Sequence, residues 1–270
     1  MTAAATLPAL SELHFRRIAD FAAREAGIAI PETKKSLVQS RIGRRMRALG
    51  LTDYDLYLGR LDIEPAERSE LVSVLTTNVS HFYRERHHFD TVREQVLSGG
   101  APRRLRLWSA GCSNGQEPYT LAMEILKAIP DAAKRDILIL ASDIDAAVLA
   151  RAAAGIYSDA ELQGVPPAER ARFFQPAETG GFAVRPEVKA LVRFRRLNLN
   201  GDWPMRGAFE AIFCRNVVIY FSDETQQTLW PRFRDRLTTG GLLMLGHSER
   251  IHPLSGSGFM TAGVTTYRRV

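Results

Sequence analysis

The run Ser109-Ala110-Gly111-Cys112-Ser113-Asn114-Gly115-Gln116-Glu117-Pro118 leaves an apolar strand and enters a helix through a small turn punctuated by glycine, and Asp143 ends the next apolar strand. Glycines let backbone come close to a ligand, and an acid one βαβ unit downstream can accept from ribose hydroxyls. The chemistry indicated is capture of a nucleotide-type cofactor. The spacing is Gly-x-x-x-Gly rather than the Gly-x-Gly-x-x-Gly that cradles a pyrophosphate, so a dinucleotide is not the first expectation.

Other segments also hold functional residue types. Thr76-Thr77-Asn78-Val79-Ser80-His81-Phe82-Tyr83-Arg84 joins a dense set of hydrogen-bond donors to two aromatics. That density suits a ligand, and a capped linker whose rings seal an interface accounts for it equally well. Residues 33–50 hold Lys34, Lys35, Arg41, Arg44, Arg45 and Arg47 without one acid, so this segment alone matches the chain's net charge of +6. Such a run is either a solvated face or a surface that steers an acidic partner. His87, His88 and His247 show no third and fourth ligand at matching spacing, and neither Cys112 nor Cys214 has zinc-type neighbours. No metal is expected, and the cysteines read as packing residues.

The elements that must position these residues fall into two patterns. Residues 10–75 carry helical periodicity and no convincing strand: Phe15, Ile18, Ala19 and Ala22 form one stripe and Val38, Ile42, Met46 and Leu49 another, with Gly50 as a stop and Thr52 as the next N-cap. On a helical wheel Lys34, Arg41, Arg44, Arg45 and Arg47 sweep roughly 160° beside the second apolar stripe. From about residue 103 the pattern alternates β and α. Strands are expected near 105–109, 137–142, 192–197, 211–214 and 242–245, and helices over 119–129, 146–154 and 224–237, the last two capped by Asp145 and Asp223. This predicts a doubly wound α/β sheet. Pro176, Gly180, Gly181 and Pro186 around Phe182-Ala183-Val184 predict an inserted hairpin, and residues 259–269 a final edge strand.

With 270 residues, 45% of them hydrophobic, the chain can bury a medium core and a small one. Two cysteines exclude a disulfide framework and suit a reducing cytosol. No secretory signal opens the sequence, and no run approaches the roughly 18 apolar residues of a membrane span. No sizeable apolar surface run calls for a partner subunit, so a monomer is expected.

Further motifs carry a resemblance: Arg44-Arg45-Met46-Arg47-Ala48-Leu49-Gly50-Leu51, the Thr-Thr-Asn-x-Ser-x-Phe-Tyr-Arg linker, Gly115-Gln116-Glu117-Pro118-Tyr119, Ser142-Asp143-Ile144-Asp145, Asn198-Leu199, Phe213-Cys214-Arg215-Asn216-Val217-Val218-Ile219-Tyr220-Phe221 and Gly246-His247-Ser248-Glu249. With them the chain resembles the chemotaxis receptor methyltransferases of the CheR type, nearly end to end. The resemblance implies transfer of a methyl group from S-adenosylmethionine to receptor glutamates in the cytoplasm. It implies a Rossmann-like methyltransferase domain over 78–270, with a linker and entry helix at 78–98 and an inserted antiparallel β-subdomain at 172–191. A small all-helical, receptor-interacting domain precedes it over 1–77.

By the same resemblance the cofactor site comprises Asn78, Ser80, Arg84, Glu117, Asp143, Asn198, Leu199, Arg215 and Asn216. Asp143 would face the ribose, Glu117 the ammonium group, Arg84 the carboxylate, and Asn198 and Leu199 the adenine. Arg84 and Tyr220 are candidates for holding the acceptor carboxylate, Tyr220 serving equally well as an interface aromatic. Lys34, Arg41, Arg44, Arg45 and Arg47 would meet glutamate-rich receptor helices. The β-subdomain docks a receptor's carboxyl-terminal peptide in some relatives. Ser80, Tyr83 and the amide Gln116 stand where relatives commonly carry threonine, phenylalanine and a second acid. A nucleic-acid methyltransferase is the first rival. It is disfavoured because Pro166-Pro167 precedes no aromatic and neither cysteine follows a proline. A scaffold without turnover is disfavoured because every cofactor position keeps suitable chemistry.

Overall fold

A computed structural model describes residues 7–76, 78–99 and 102–270; Thr77 of the linker motif lies outside the described residues. The chain forms two compact units, one of residues 1–77 with 220–222, the other of residues 78–219 with 223–270.

The described residues of the first unit form the α-helices α1 (Glu12–Ala26), α2 (Lys35–Ala48), α3 (Tyr54–Ile63) and α4 (Pro65–Leu75), with a short 3-10 turn at Glu32–Lys34 leading into α2. Ser11 caps α1 by accepting from His14 N, and Gly27 ends it at φ 69°. Asp53, not Thr52, caps α3: its side chain takes the Asp55 N–H at 2.8 Å, the reach a short carboxylate has to the second residue of a first turn. Pro65 opens α4, where its missing N–H costs nothing. Phe15, Ile18, Val38, Ile42, Met46, Tyr57, Leu61 and Leu71 are buried, so both apolar stripes seen in the sequence do pack. Each such side chain contributes about 1.5–3 kcal/mol. Residues 220–222 join this unit through Ala29 N–H to Tyr220 O, 2.8 Å, and an Ile28–Phe221 bridge.

The second unit runs α5 (His87–Gln95), β1 (Arg104–Ala110), α6 (Gln116–Ala128), β2 (Asp136–Asp143), α7 (Ala146–Ala154), β3 (Ile156–Tyr157), α8 (Pro167–Phe173), β4 (Phe174–Pro176), β5 (Phe182–Val184), α9 (Pro186–Lys189), β6 (Val192–Arg196), β7 (Phe209–Cys214), α10 (Asp223–Arg236), β8 (Leu237–Leu245), β9 (Phe259–Gly263) and β10 (Thr266–Arg269). The main sheet has the order β6-β2-β1-β7-β8-β10-β9. Its first five strands are parallel, and β10 runs antiparallel to both β8 and β9. Helices cover parallel strands on both faces, which is why Leu105, Leu107, Trp108, Ile137, Ile139, Ala141 and Leu242 to Leu245 are all buried. The chain thus comprises a Rossmann-like α/β domain and a helical domain.

Several expectations need correction. The closing segment is a hairpin: Gly263 at φ 157° and Thr265 at φ 45° turn the chain, so β9 takes the edge and β10 lies inside it. Asp223 is the first residue of α10 rather than its cap, and Leu237 begins β8 rather than ending the helix. The hairpin β4–β5 forms as expected, with Phe174 opposite Val184. It gains a third strand from Ile156–Tyr157, two residues too short to show a period in sequence.

Candidate active site

Strand order reverses at β1, whose neighbours β2 and β7 lead to opposite sides of the sheet. Ligands of open α/β sheets bind beyond the carboxyl ends of strands at such a point. The loop leaving β1 is laced to the end of β2. Gly111 and Cys112 donate to Ser142 O at 2.7 and 2.9 Å, and Ser113 N donates to Asp143 Oδ2 at 2.9 Å. Asp145 N donates to the other Asp143 oxygen at 3.0 Å, so the carboxylate is fixed with lone pairs to spare on both oxygens. Burial pushes its pKa above the usual carboxylate value, against the pull of those N–H groups.

The two glycines are required by the fold itself, whatever the loop binds. Gly111 has φ 86°, and a Cβ there would sit 2.3 Å from Val217 Cγ2; Gly115 has φ 89°, and its Cβ would fall 2.9 Å from that of Ala152. Left-handed backbone and packing against neighbouring elements suffice to require them.

Glu117, in the first turn of α6, accepts from Ser109 Oγ at 2.7 Å and from Arg215 Nη1 at 3.1 Å. Burial raises its pKa, with Arg215 and Ser109 opposing. Arg215, just past β7, also donates to Arg84 O, lies 3.4 Å from Glu85 Oε2 and stands over the Phe89 ring. Arg84 donates to Val79 O at 3.1 Å and has no acidic partner among the described residues, leaving its guanidinium free to take a carboxylate. Asn78 reaches Asp145 Oδ2 at 3.1 Å while its carbonyl accepts from Asn114, and Ser80 is half-buried. Asn198 Oδ1 accepts from Asn200 N at 3.0 Å. Leu199 O accepts from Trp203 Nε1 and from Arg232 Nη1, at 3.1 and 2.6 Å, so α10 pins the turn that follows β6.

Three positioning groups had no assigned role. Glu249, 3% exposed, accepts backbone N–H from Asn216, Val217, Ile219 and Gly246 at 2.8, 2.8, 3.3 and 2.6 Å, holding the Asn216 turn at φ 59°. Burial raises its pKa while these N–H groups lower it. The Gly246-His247-Ser248-Glu249 motif was legible, but an acid that binds only backbone has no periodic signature. Arg232 and Glu85 escaped because their partners, Leu199 O and the Arg215 guanidinium, lie far away in sequence. Burial, then Arg215 and His87, push His88 down to about 3, so it is neutral. Burial first, with the nearby acids adding, pushes both cysteine thiols up, which suits their packing role.

Tyr220 belongs with the helical unit, where its carbonyl accepts from Ala29 N at 2.8 Å. Within that unit the arginine segment divides. Arg45 makes a two-pronged pair with Glu67, Nε to Oε1 2.9 Å and Nη2 to Oε2 2.6 Å. Arg41 Nη1 reaches the carbonyls of Val74, Leu75 and Thr76 at 3.2, 2.5 and 3.0 Å, closing the end of α4. Lys34, Arg44 and Arg47 remain exposed. The expectation of a single continuous cationic stripe is therefore too wide.

Residues 13–76 match the family described as "CheR methyltransferase, all-alpha domain", and residues 78–267 match "CheR methyltransferase, SAM binding domain". The chain belongs to the CheR family of S-adenosylmethionine-dependent chemotaxis methyltransferases. It is 45% identical over 258 residues to a probable chemotaxis protein methyltransferase of Rhizobium etli, covering 90% of this chain and 95% of the relative. It is 41% identical over 269 residues to the chemotaxis protein methyltransferase of Escherichia coli strain K12, covering 96% and 91%. The corresponding figures for the Klebsiella aerogenes protein are 40% over 264 residues, 96% and 90%.

S-adenosylmethionine is the cofactor of this CheR-family chain. The donor set fits it: two fixed carboxylates and a guanidinium without an acid match a molecule bearing a ribose, an ammonium and a carboxylate. Among the described residues no helix is long and apolar enough to cross a membrane.

Proposed function

We propose that the chain forms methyl esters on glutamate side chains in the cytoplasmic domain of chemoreceptors, acting as a cytoplasmic protein-glutamate O-methyltransferase in adaptation. The observation that carries this reading is the grouping of Asp143, Glu117, Arg215 and Arg84 beyond the strand ends at the switch point, in a chain of this family. The cofactor supplies an activated methyl on a sulfonium centre. Glu117 would take its ammonium, Asp143 its ribose and Arg84 its carboxylate, while the turn at Asn198 and Leu199 would border the adenine. Asn78 and Ser80 from the linker and Asn216 beside Arg215 would complete the enclosure.

A glutamate acceptor is already ionised near neutrality, so no general base is required. Positioning supplies the rate, and a well-oriented cleft can contribute up to roughly 7–11 kcal/mol. Arg84 and Tyr220 are the groups assigned to orient the acceptor carboxylate. Lys34, Arg44 and Arg47 form the surface offered to acidic receptor helices. The three-stranded sheet is assigned to docking a receptor's carboxyl-terminal peptide, which a pull-down with such peptides tests. In this reading residues 1–77 select the receptor and residues 78–270 perform the transfer.

The decisive assay is transfer of labelled methyl to receptor-containing membranes, followed by base treatment. Label released as methanol supports the ester. Label that survives base, or that appears on nucleic acid, refutes it.

A further inference from the structure

Glu85, His87 and His88 lie outside the groups assigned to the cofactor, yet one ligand atom from each falls within 4.8 Å of the others. The sequence hid this grouping. Glu85 sits at φ 53°, and this left-handed turn folds its carboxylate back onto the start of α5.

His88 is fully buried, with Nε2 3.3 Å from Val264 O and 3.0 Å from Thr265 Oγ1. A carbonyl can only accept, so Nε2 carries the proton and the lone pair lies on Nδ1. That Nδ1 is buried without a hydrogen-bond partner, as is Glu85 Oε2, and the two stand 3.6 Å apart. Two acceptors facing each other away from water repel; Arg215 Nη2, 3.4 Å from Glu85 Oε2, offsets part of that repulsion, and a cation held between the two would offset the rest. Ligand atoms on a tetrahedral zinc, with bonds of about 2.0–2.2 Å, stand about 3.3–3.6 Å apart. The pair is therefore already spaced for a shared cation. The bond from His88 Nε2 to a backbone carbonyl is the outer contact that fixes a metal-binding imidazole. His247 Nδ1, 3.2 Å from Glu85 Oε1, holds the other carboxylate oxygen and so fixes the direction in which Oε2 faces.

We propose that Glu85, His87 and His88 form a binding site for one borderline divalent transition ion, with zinc as the type case. Two imidazoles and one carboxylate favour zinc, cobalt or nickel over magnesium or calcium. Arg215 lies 3.4 Å from Glu85 Oε2, and the amino end of α5 is also positive, so the ion is an exchangeable one rather than a structural clamp. The inference does not depend on the methyl-transfer reading, because the metal itself is the probe.

The test titrates the full-length chain, stripped of metal by a chelator, with cobalt(II) and follows its visible absorption, then displaces cobalt with zinc. One equivalent with tetrahedral-type absorption is expected. His87→Ala, which removes an exposed ring and leaves the fold intact by circular dichroism, and Glu85→Gln each weaken binding at least about tenfold. His252→Ala, an exposed histidine elsewhere, leaves it unchanged. Absence of one-equivalent binding overturns the proposal, as do wild-type affinity in both ligand variants or an equal loss in His252→Ala.

Discussion

Replacing Arg45 by alanine removes both prongs of its pair with Glu67, whose side chain is only 3% exposed. The pair's hold shows in Arg45 itself, whose pKa is raised chiefly by the hydrogen bonds it donates to Glu67. Breaking such a pair from one side leaves a buried charge uncompensated and costs about 3–5 kcal/mol. Because the Arg45 side chain is 25% exposed, water can reach part of the site, and the lower end, about 3 kcal/mol, is expected. For a unit of this size that corresponds to a drop of at least about 12 °C in its midpoint. Arg44→Ala and Arg47→Ala, both at exposed positions, should stay within about 0.5 kcal/mol of wild type. Thermal unfolding of the full chain by circular dichroism reads the helical transition, and Arg45→Met with Glu67→Leu should recover most of the loss. An Arg45→Ala midpoint equal to that of Arg44→Ala would refute the reasoning. The distinction matters for function. Reversing Arg44 and Arg45 together would confuse lost folding with lost docking, whereas Arg44→Glu with Arg47→Glu isolates docking. That double reversal should lower receptor methylation, most at low salt, and leave cofactor affinity unchanged by calorimetry.

Asp143→Ala should weaken S-adenosylmethionine binding by at least about tenfold in calorimetry, because charged hydrogen bonds contribute about 1.5–3 kcal/mol; unchanged affinity removes Asp143 from the site. Cofactor affinity should fall on acidification, and the fall should begin above the ordinary carboxylate range, because burial raises both Asp143 and Glu117 and it is their ionised forms that bind. A binding titration against pH checks this, and Asp143→Asn should flatten the profile. Glu249→Gln should cost about 2 kcal/mol in urea unfolding, since an amide turns an N–H group toward donors that a carboxylate accepts. Gly111→Ala should lose at least about 1 kcal/mol from its left-handed backbone and the Val217 clash together, and Val217→Ala should restore only the clash component.

Much of this molecule was legible in one dimension because its signals are periodic or terminal. Parallel strands covered on both faces appear as unbroken apolar runs, so Leu105 to Ser109 and Ile137 to Ser142 announced both the sheet and where its ends lie. Asp143 was legible as the residue that ends the second strand, at the carboxyl edge where open α/β sheets take their ligands. The buried stripes of α1 and α2 are set by a 3.6-residue period that a wheel displays directly. Partners across long separations have no such period. The wheel placed Arg45 among the cations, but only packing against α4 showed that Glu67 consumes its charge and that Arg41 closes a helix end. The same holds for Glu249 beneath the Asn216 turn, Arg232 against Leu199 and Glu85 facing His88. Sequence determines which side chains each element presents. Tertiary structure decided which of those charges are paired inside the protein and which stay exposed, because desolvation and pairing depend on neighbours that only folding brings within a few ångströms.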